Sequence, residues 1–384
     1  MIYKVLYILD TFETGGAEKS LLDIAIQNKA VESVFLTLYK GNQLAEAAQQ
    51  AGIKVISLNR TEKYAFGKIV QLLKPIIQEE KPDLIHATLF RADIVSRKIK
   101  RYFKIPLVSS LVNNSYIDER YQKLSLLGKL KLYYIQHYDS LTAKKVDYFI
   151  SNSQTIKESN AKALGLNLEK IKVIFRGRDL SKFLSLSEEQ LLKTKQELNV
   201  QENQVTLLNV SRLLDRKGQL DLLQAIKNLV ITHPNVKLYI AGEGFYRSVL
   251  ENYIQENNLQ PHVEMLGNRN DIPYLLKLAD VFVFPTHYEG LPGALIEAMM
   301  SEKTIVCTSI PENKECVSAQ EAVFFKKGDV SNLVFTLQEV INQPHQFSAL
   351  GKNARIAAIE KFSISKVVDQ YNTVYTSIIQ NHNQ

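Results

Sequence analysis

Short apolar runs alternate along the whole chain with longer stretches that have the period of an amphipathic helix. The runs predict strands in the first half at Lys4–Leu9, Val34–Leu38, Lys54–Ser57, Asp83–Ala87, Pro106–Leu111 and Tyr148–Ile150. They predict strands in the second half at Val205–Val210, Val236–Ala241, Val263–Leu266, Val281–Phe284 and Thr304–Cys307. Helices are predicted at Ala17–Asn28, Phe66–Glu80, Ala92–Phe103, around Glu119–Lys144, and at Leu220–Thr232, Tyr246–Asn257, Ile272–Leu278 and Gly293–Met300.

This alternation of strands and helices indicates βαβ units, in which parallel sheets are covered by helices on both faces. The length of 384 residues suggests two such α/β domains. The polar stretch Asp179–Gln204 lacks strand-like runs and is predicted to link them, with some helix inside it. Residues 364–380 are predicted to form a final helix. Ligands of open parallel sheets bind beyond the carboxyl ends of the strands, so two facing domains would suit transfer of a group between two ligands.

The composition is that of a folded protein, with 45% hydrophobic and 23% charged residues. Two cysteines, Cys307 and Cys316, are too few for a disulfide framework or a cysteine-based metal site, which predicts a reducing compartment. No apolar run approaches the roughly 20 residues needed to cross a bilayer, and the apolar run Val5–Leu9 is too short for the core of a signal peptide. We therefore expect a cytoplasmic protein. The inner face of the membrane is a further location that we consider.

Charge is distributed unevenly between the two halves of the chain. Residues 1–178 hold 28 Lys and Arg against 17 Asp and Glu, a net charge of +11, whereas the remainder carries −4. Such an asymmetry bears on the choice of partners rather than on the fold. The first half is therefore predicted to face an anionic partner.

The stretch Pro285–Glu297 is the most informative one for a ligand-binding site. It follows the predicted strand Val281–Phe284 and leads into a predicted helix, so that the backbone amides near Gly290–Gly293 would lie at a positive helix end, where anions bind. Glu289 precedes that helix and Glu297 lies in its early turns, and carboxylates accept hydrogen bonds from vicinal hydroxyls. The alternative is a solvated helical face with one capping glutamate.

Two further stretches follow the first predicted strand of each half. Arg212 and Lys217 flank the turn after Val205–Val210, where cations would neutralise a diphosphate. The alternative is that both are ordinary exposed cations on the surface. Gly15 and Gly16 allow close backbone approach before a helix, although an ordinary turn is the simpler explanation.

Together these motifs resemble those of the family 4 glycosyltransferases. The shared motifs are Gly-Gly-Ala-Glu at 15–18, Ser-Arg-x4-Lys-Gly at 211–218, Ala-Gly-Glu-Gly at 241–244, Leu-Gly-Asn at 266–268 and Glu-Gly-Leu-Pro-x4-Glu-Ala at 289–298. They occur in the family's order, extend through nearly the whole chain and are strongest over residues 205–317.

The resemblance implies the α/β fold called GT-B, with two facing Rossmann-like domains and a C-terminal helix that returns to the N-terminal domain. It implies an acceptor-binding domain at 1–180 plus 364–384 and a sugar-nucleotide-binding domain at 200–363. It also implies a retaining enzyme that needs no cofactor and no metal ion, which agrees with the lack of an Asp-x-Asp motif in the sequence.

The resemblance also implies roles for single residues. Glu289 would contact the transferred sugar and, with Arg212 and Lys217 at the diphosphate, form the catalytic group, while Glu297 would contact the ribose. The remaining donor contacts would come from the phosphate loop at Gly15 and Gly16, from Gly290 and Leu291, and from the base-recognition segment Gly267, Asn268 and Arg269.

One position departs from the family pattern. Many members have a histidine after the fifth N-terminal strand, where this chain has Val112 or Asn113. We expect Asn113 to contact the acceptor. His86, after the fourth strand, is expected either to lie on the acceptor side or to be a structural histidine. In a retaining enzyme the departing phosphate can accept the acceptor's proton instead of a side chain.

Segments 97–104 and 120–145 combine cations with aromatic residues, which suits an anionic membrane interface. Family members often glycosylate lipid-linked acceptors. A solvated face with tyrosines in the core is the alternative, and we expect no nucleic-acid partner because no nucleic-acid-binding motif is present.

We therefore predict a retaining, metal-independent hexosyltransferase. It would move a sugar from a UDP- or GDP-sugar to a glycan or lipid-linked acceptor, in the biosynthesis of a surface polysaccharide or glycolipid. Two alternatives are a sugar-nucleotide epimerase with the same donor site and a non-catalytic relative that acts as a partner protein.

Overall fold

The computed structural model describes residues 2–62 and 64–383. The chain divides into two compact units, one made of residues 1–178 and 364–384 and the other of residues 179–363. Met1, Lys63 and Gln384, which fall in the predicted N-terminal domain, lie outside the described residues.

A parallel sheet forms the centre of the first unit. Its strands in the described part of the chain are β1 (Tyr3–Leu9), β2 (Val31–Tyr39), β3 (Lys54–Arg60), β4 (Leu84–Thr88), β5 (Leu107–Leu111), β6 (Tyr148–Ser151) and β7 (Ile171–Val173). They lie side by side in the order β3-β2-β1-β4-β5-β6-β7. Strand β1 is buried on both faces, with Leu6 and Ile8 in one apolar cluster and Val5, Tyr7 and Leu9 in another. This two-sided burial explains why its sequence is continuously apolar.

Helices cover the sheet of the first unit. They are α1 (Gly16–Gln27), α2 (Ala45–Gln50), α3 (Phe66–Glu80), α4 (Phe90–Ile99), α5 (Asp118–Gln122), α6 (Leu126–Ala143) and α7 (Gln154–Leu164). The prediction of one long helix around Glu119–Lys144 is wrong, because Ser125 separates α5 from α6. Its backbone is extended, and its hydroxyl accepts a 3.3 Å hydrogen bond from the amide of Gly128. A serine in this position caps the helix that follows it.

The second unit is built on another parallel sheet. Its described strands are β8 (Val205–Val210), β9 (Val236–Ala241), β10 (Val263–Gly267), β11 (Val281–Phe284), β12 (Thr304–Thr308) and β13 (Val323–Phe325). Their order is β10-β9-β8-β11-β12-β13. The helices of this unit are α8 (Ser181–Leu184), α9 (Glu188–Glu197), α10 (Gln219–Thr232), α11 (Arg247–Glu256), α12 (Ile272–Leu278), α13 (Gly293–Met300), α14 (Pro311–Cys316), α15 (Val330–Asn342) and α16 (Pro344–Phe362).

Residues 179–204 were predicted as a linker, but they fold as part of the second unit. Helices α8 and α9 occupy much of the stretch. Thr194 and Leu198 are buried, and the carbonyl oxygen of Leu198 accepts a 2.9 Å hydrogen bond from the hydroxyl of Tyr239. Buried side chains and hydrogen bonds of this polar stretch therefore attach it to the second unit.

After α16 the chain returns to the first unit as α17 (Ile364–Asn383). Val367, Tyr371 and Tyr375 of this helix are buried in the apolar cluster that also contains Val5, Tyr7 and Leu9. The amide of Ile364 donates a 3.1 Å hydrogen bond to the carbonyl oxygen of Arg178. The chain thus leaves and re-enters the first unit at adjacent positions.

Candidate active site

The residues predicted to contact the diphosphate and the transferred sugar follow two strands that are neighbours in the second unit. From the centre of the sheet, β8, β9 and β10 follow one another toward one edge, and β11, β12 and β13 follow one another toward the other edge. The strand order therefore reverses between β8 and β11. At such a switch point the loops after the two strands diverge and leave a crevice for a ligand. Arg212 and Lys217 follow β8, and Glu289 follows β11.

The loop after β8 is fixed against the loop after β11 by backbone contacts. Gly218 has a φ of +69°, and a Cβ atom there would lie 2.0 Å from the carbonyl oxygen of Pro285. The amide of His287 donates a 2.8 Å hydrogen bond to the carbonyl oxygen of Arg216. Only glycine permits this approach, which brings Lys217 next to the loop after β11.

Glu289 is buried among positive charges. Its carboxylate contacts the ammonium group of Lys217, and its Oε2 atom lies 3.6 Å from Nη1 of Arg216. The hydroxyl of Thr286 donates a 2.9 Å hydrogen bond to its Oε1 atom. Burial alone would raise the pKa of Glu289, but the charges of Lys217 and Arg216 outweigh this effect and the pKa lies below its usual value. The side chain is therefore held as a carboxylate.

Lys217 lies among charges of both signs. Burial lowers the pKa of Lys217, and repulsion from Arg216 and Arg212 acts in the same direction. Attraction to Glu289 opposes this shift. The side chain of Arg212 is exposed, and its carbonyl oxygen accepts a 3.0 Å hydrogen bond from the buried side chain of Gln219. Arg212 thus offers an exposed guanidinium within electrostatic reach of Lys217, where a bound anion could meet both groups.

Arg216 is a site residue that the sequence prediction missed. Besides its contact with Glu289, its Nη1 atom donates a 2.7 Å hydrogen bond to the carbonyl oxygen of Tyr288, and its guanidinium lies 5.0 Å from the centre of the Tyr288 ring. The sequence shows it only as the first of two consecutive cations, and the motif spacing points to Lys217 instead. Arg212, Arg216 and Lys217 together give the end of β8 three positive charges.

Helix α13 begins just after the loop that carries Glu289. Leu291 in this loop is buried, and Pro292 occupies the N-cap position with an extended backbone. Glu297 lies in the second turn of the helix and its side chain is partly exposed. Glu289 thus lies in the loop that leads directly into α13, and Glu297 lies in that helix. Contact of Glu297, Gly290 or Leu291 with a donor stays a prediction.

A chain of buried hydrogen bonds supports Glu289 from behind. The side-chain amide of Asn313 donates a 3.0 Å hydrogen bond to the hydroxyl of Thr308. That hydroxyl donates a 2.6 Å bond to the carbonyl oxygen of Thr286, whose own hydroxyl bonds to Glu289. The carboxylate of Glu312 accepts a hydrogen bond from the backbone amide of Glu289. No pattern in the sequence predicts this support, because its members are distant in the chain and are brought together only by the sheet.

The predicted base-recognition segment lies at the end of β10. Gly267 has a φ of +68°, a conformation that favours glycine. The guanidinium of Arg269 donates hydrogen bonds of 2.6 Å to Asp271 and 3.2 Å to Glu197, and these bonds raise its pKa. With this side chain paired inside the unit, the backbone of Gly267, Asn268 and Arg269 is the part predicted to contact a nucleobase.

The predicted phosphate loop lies between β1 and α1 of the first unit. A Cβ atom on Gly15 would lie 2.3 Å from Oε2 of Glu18, and one on Gly16 would lie 3.0 Å from Nη1 of Arg176. The two glycines therefore allow charged side chains to lie directly against the backbone. Their contact with donor phosphates stays a prediction.

His86 lies within β4, not after it as predicted, and its side chain is in the interior of the first unit. Its side chain is fully buried, with Nδ1 2.6 Å from the hydroxyl of Tyr375 and Nε2 2.7 Å from the hydroxyl of Ser110. Burial lowers the pKa of His86 to about 3, so the ring is neutral near physiological pH. Because both ring nitrogens have partners and no part of the ring is exposed, the geometry favours a structural histidine over an acceptor contact.

Asn113 lines a cavity of about 260 Å³ in the first unit. The cavity also borders Asp10, Asp93, Arg97 and Tyr116. Burial raises the pKa of Asp93 to about 7. Such polar groups beyond the carboxyl ends of β1 and β5 suit recognition of hydroxyl groups, and contact of Asn113 with an acceptor stays a prediction.

Known proteins resemble the chain over most of its length. The family described as Glycosyltransferase Family 4 matches residues 14–182, and the family described as Glycosyl transferases group 1 matches residues 190–357. An Escherichia coli UDP-Gal:alpha-D-GlcNAc-diphosphoundecaprenol alpha-1,3-galactosyltransferase is 28% identical over 82% of this chain and 80% of its own. The capsular polysaccharide biosynthesis glycosyltransferase CapM of Staphylococcus aureus is 25% identical over 82% of each chain.

A solved structure shares the architecture. The crystal structure of Anabaena HepE in complex with UDP-glucose has a TM-score of 0.86 and 23% identity, and the match covers 98% of this chain and 100% of that chain. The predicted architecture of two α/β sheets with parallel strands is confirmed.

Proposed function

Because the chain belongs to the family 4 glycosyltransferases and has their GT-B fold, we propose that it transfers a sugar from a UDP-sugar to a lipid-linked glycan, with retention of anomeric configuration. The relatives of the chain show that it is a glycosyltransferase. The proposal concerns its donor, its acceptor and the stereochemistry of transfer. The observation that carries it is the charged cluster between the ends of β8 and β11, in which Lys217 and Arg216 contact the ionised Glu289 and Arg212 lies within electrostatic reach of Lys217.

This cluster suits a donor that carries a diphosphate. Lys217 and Glu289 form an ion pair in which their charges neutralise each other. A bound sugar nucleotide would offer sugar hydroxyls to the carboxylate and phosphate oxygens to the ammonium group, with Arg212 as a second cation. The relatives support uridine as the base, since the name of the E. coli relative specifies UDP-Gal and the Anabaena structure contains UDP-glucose.

The same cations would stabilise the leaving group. As the bond between the sugar C1 atom and the phosphate oxygen breaks, negative charge develops on the diphosphate, and positive groups already in place stabilise that charge most effectively. The backbone amides at the start of α13 would add the positive end of the helix dipole. We therefore propose that the transfer needs no metal ion.

Retention of configuration follows if the acceptor attacks from the face that the diphosphate leaves. The new bond joins the acceptor oxygen to C1, and the proton of the acceptor hydroxyl passes to the departing phosphate oxygen. His86 is not placed to take this proton, because it is buried and both of its ring nitrogens are bonded. No protein base is required in this scheme.

A lipid-linked acceptor is supported by one relative and by charge. The name of the E. coli relative specifies a diphosphoundecaprenol-linked acceptor, and that of CapM specifies capsular polysaccharide biosynthesis. The excess positive charge of residues 1–178 suits an acceptor that carries a diphosphate. We propose surface polysaccharide or glycolipid biosynthesis as the process.

A transfer assay with UDP-glucose, UDP-galactose and UDP-N-acetylglucosamine tests the proposal. The acceptor is a short-chain polyprenyl diphosphate that carries N-acetylglucosamine. We expect UDP release that depends on the acceptor, an α-linked product by NMR, and unchanged turnover in the presence of EDTA. A new epimer formed without an acceptor would identify an epimerase, and failure to bind any of the donors would indicate a non-catalytic relative.

A further inference from the structure

Helix α6 exposes a group of large apolar side chains. Leu126, Leu127, Leu130, Tyr133 and Tyr134 are each between 66% and 81% exposed. Their spacing places them on one side of the helix, and the exposed Leu141 continues the same line. We call these six residues the α6 stripe.

The opposite side of α6 is attached to the first unit. Leu132, Asp139 and Ala143 are buried there. The carboxylate of Asp139 forms an ion pair with the buried Arg97 and accepts a 2.7 Å hydrogen bond from the hydroxyl of Tyr116. These contacts hold α6 with its opposite side against the first unit, which leaves the α6 stripe exposed.

Positive charges border the α6 stripe on both sides. Lys129 and Lys131 are exposed and are the neighbours of Leu130. Consecutive residues of a helix are rotated by about 100°, so the two lysines project to opposite sides of the line of leucines. Lys144, also exposed, follows the last turn. An apolar stripe bordered by cations is complementary to a surface that has an anionic outer layer and an apolar layer beneath it.

We propose that the α6 stripe docks the protein on an anionic lipid bilayer, with α6 parallel to the membrane plane. The leucines would enter the boundary of the acyl chains, the tyrosines would lie at the level of the headgroups, and the lysines would contact lipid phosphates. No helix in residues 2–62 and 64–383 is long and apolar enough to cross a membrane. The proposal is independent of the proposed transfer reaction, although it would bring the protein to a lipid-linked acceptor.

The structure also separates the two segments that the sequence suggested for this surface. In segment 97–104, Arg97 is buried, Lys100 forms an ion pair with Asp147, and the ring of Tyr102 lies 3.5 Å beneath the ammonium group of Lys74. These three side chains are engaged within the first unit, whereas Arg101 and Lys104 of the segment are exposed. Within segment 120–145, α6 is the part that presents an apolar surface.

Vesicle flotation tests the apolar part of the proposal. The full chain is mixed with vesicles of phosphatidylcholine alone or with added phosphatidylglycerol, and the bound fraction is measured. We expect binding to the anionic vesicles and a loss of about tenfold or more in the Leu127→Ser/Leu130→Ser variant, because each leucine contributes apolar burial. The matched control is Ile231→Ser/Phe245→Ser, which removes two exposed apolar side chains from the second unit and should leave binding unchanged.

A second pair of variants tests the charge. Lys129→Glu/Lys131→Glu should weaken binding to anionic vesicles about tenfold or more and reduce its dependence on salt. Lys227→Glu/Lys352→Glu makes the same change of charge at exposed positions of the second unit and should have no such effect.

Three results would overturn the proposal. The first is absence of binding to anionic vesicles by the wild-type chain. The second is binding that the α6 variants do not reduce, or that is equally strong on neutral vesicles. The third is a dimer of the chain that forms through α6 without vesicle binding. Melting temperature and UDP affinity should be unchanged in the α6 variants, so a defect in folding or in the donor site is distinguishable from a defect in docking.

Discussion

The ammonium group of Lys217 contacts the carboxylate of Glu289, although the two residues are 72 positions apart in the chain. The contact exists because β8 and β11 are adjacent in the sheet and because Gly218 lets the two following loops touch. Both side chains are largely removed from water. Each charge therefore depends on the other, and the pair is expected to respond to substitution as one unit.

Loss of both members of this pair should cost less stability than the two single losses added together. Lys217→Met should destabilise the second unit by about 3 kcal/mol, because it leaves Glu289 buried with only Arg216 as a cationic partner. The double variant Lys217→Met/Glu289→Gln should lose less than the sum of the two single variants, as measured by urea unfolding. Additive losses would contradict the coupling.

Arg212→Ala should leave stability almost unchanged, because the side chain is exposed. Turnover should fall about 10²–10³-fold, the scale for loss of one group already placed to stabilise the transition state. Lys227→Ala, at another exposed cation of the same unit, serves as the control in the transfer assay. Normal turnover in Arg212→Ala would remove this residue from the catalytic group.

Thr308→Val should lower kcat because the hydroxyl of Thr308 fixes the backbone of Thr286 behind Glu289. We expect a loss of about tenfold in kcat with an unchanged KM for the acceptor, and recovery in Thr308→Ser. Thr336→Val is the matched control, since Thr336 is also a buried threonine of the second unit but bonds within α15. Equal losses of kcat in Thr308→Val and Thr336→Val would point to a general effect of lost stability.

Asp93 should make the stability of the protein depend on pH. Burial raises its pKa to about 7 in the folded chain, whereas an unfolded aspartate has a pKa of about 3.9. Its contribution to stability is therefore complete below about pH 4 and is lost as the pH rises through about 7. Asp93→Asn should raise the melting temperature at about pH 8 and change it little at about pH 4. An equal change at both values would contradict the shifted pKa.

The sequence predicts much of the fold because its strands are buried on both faces. Strands β8, β9 and β11 have the bounds expected from their continuous apolar runs. Strands β7 and β13 have three residues each, which is too short for a pattern to be recognised. The break between α5 and α6 depends on the cap at Ser125, a local signal that the helical period of the surrounding residues conceals.

The candidate site was predictable only in part. The spacing of motifs predicts Lys217 and Glu289, and the structure brings these two together. Arg216 and Thr308 were not predicted, because their contacts depend on which strands are neighbours in the sheet and not on spacing along the chain. His86 shows the reverse case, since a histidine in a suggestive position is held in the core by Tyr375 and Ser110.

Calorimetric titration with UDP tests most directly whether the cluster at β8 and β11 is the donor site. The wild-type chain, Arg212→Ala and Lys227→Ala are compared. We expect UDP to bind the wild-type chain and Lys227→Ala equally, and Arg212→Ala about tenfold or more weakly, because one charge-assisted contact with the diphosphate is lost. Absence of UDP binding to the wild-type chain, or equal affinity in Arg212→Ala, would contradict the assignment of the donor site.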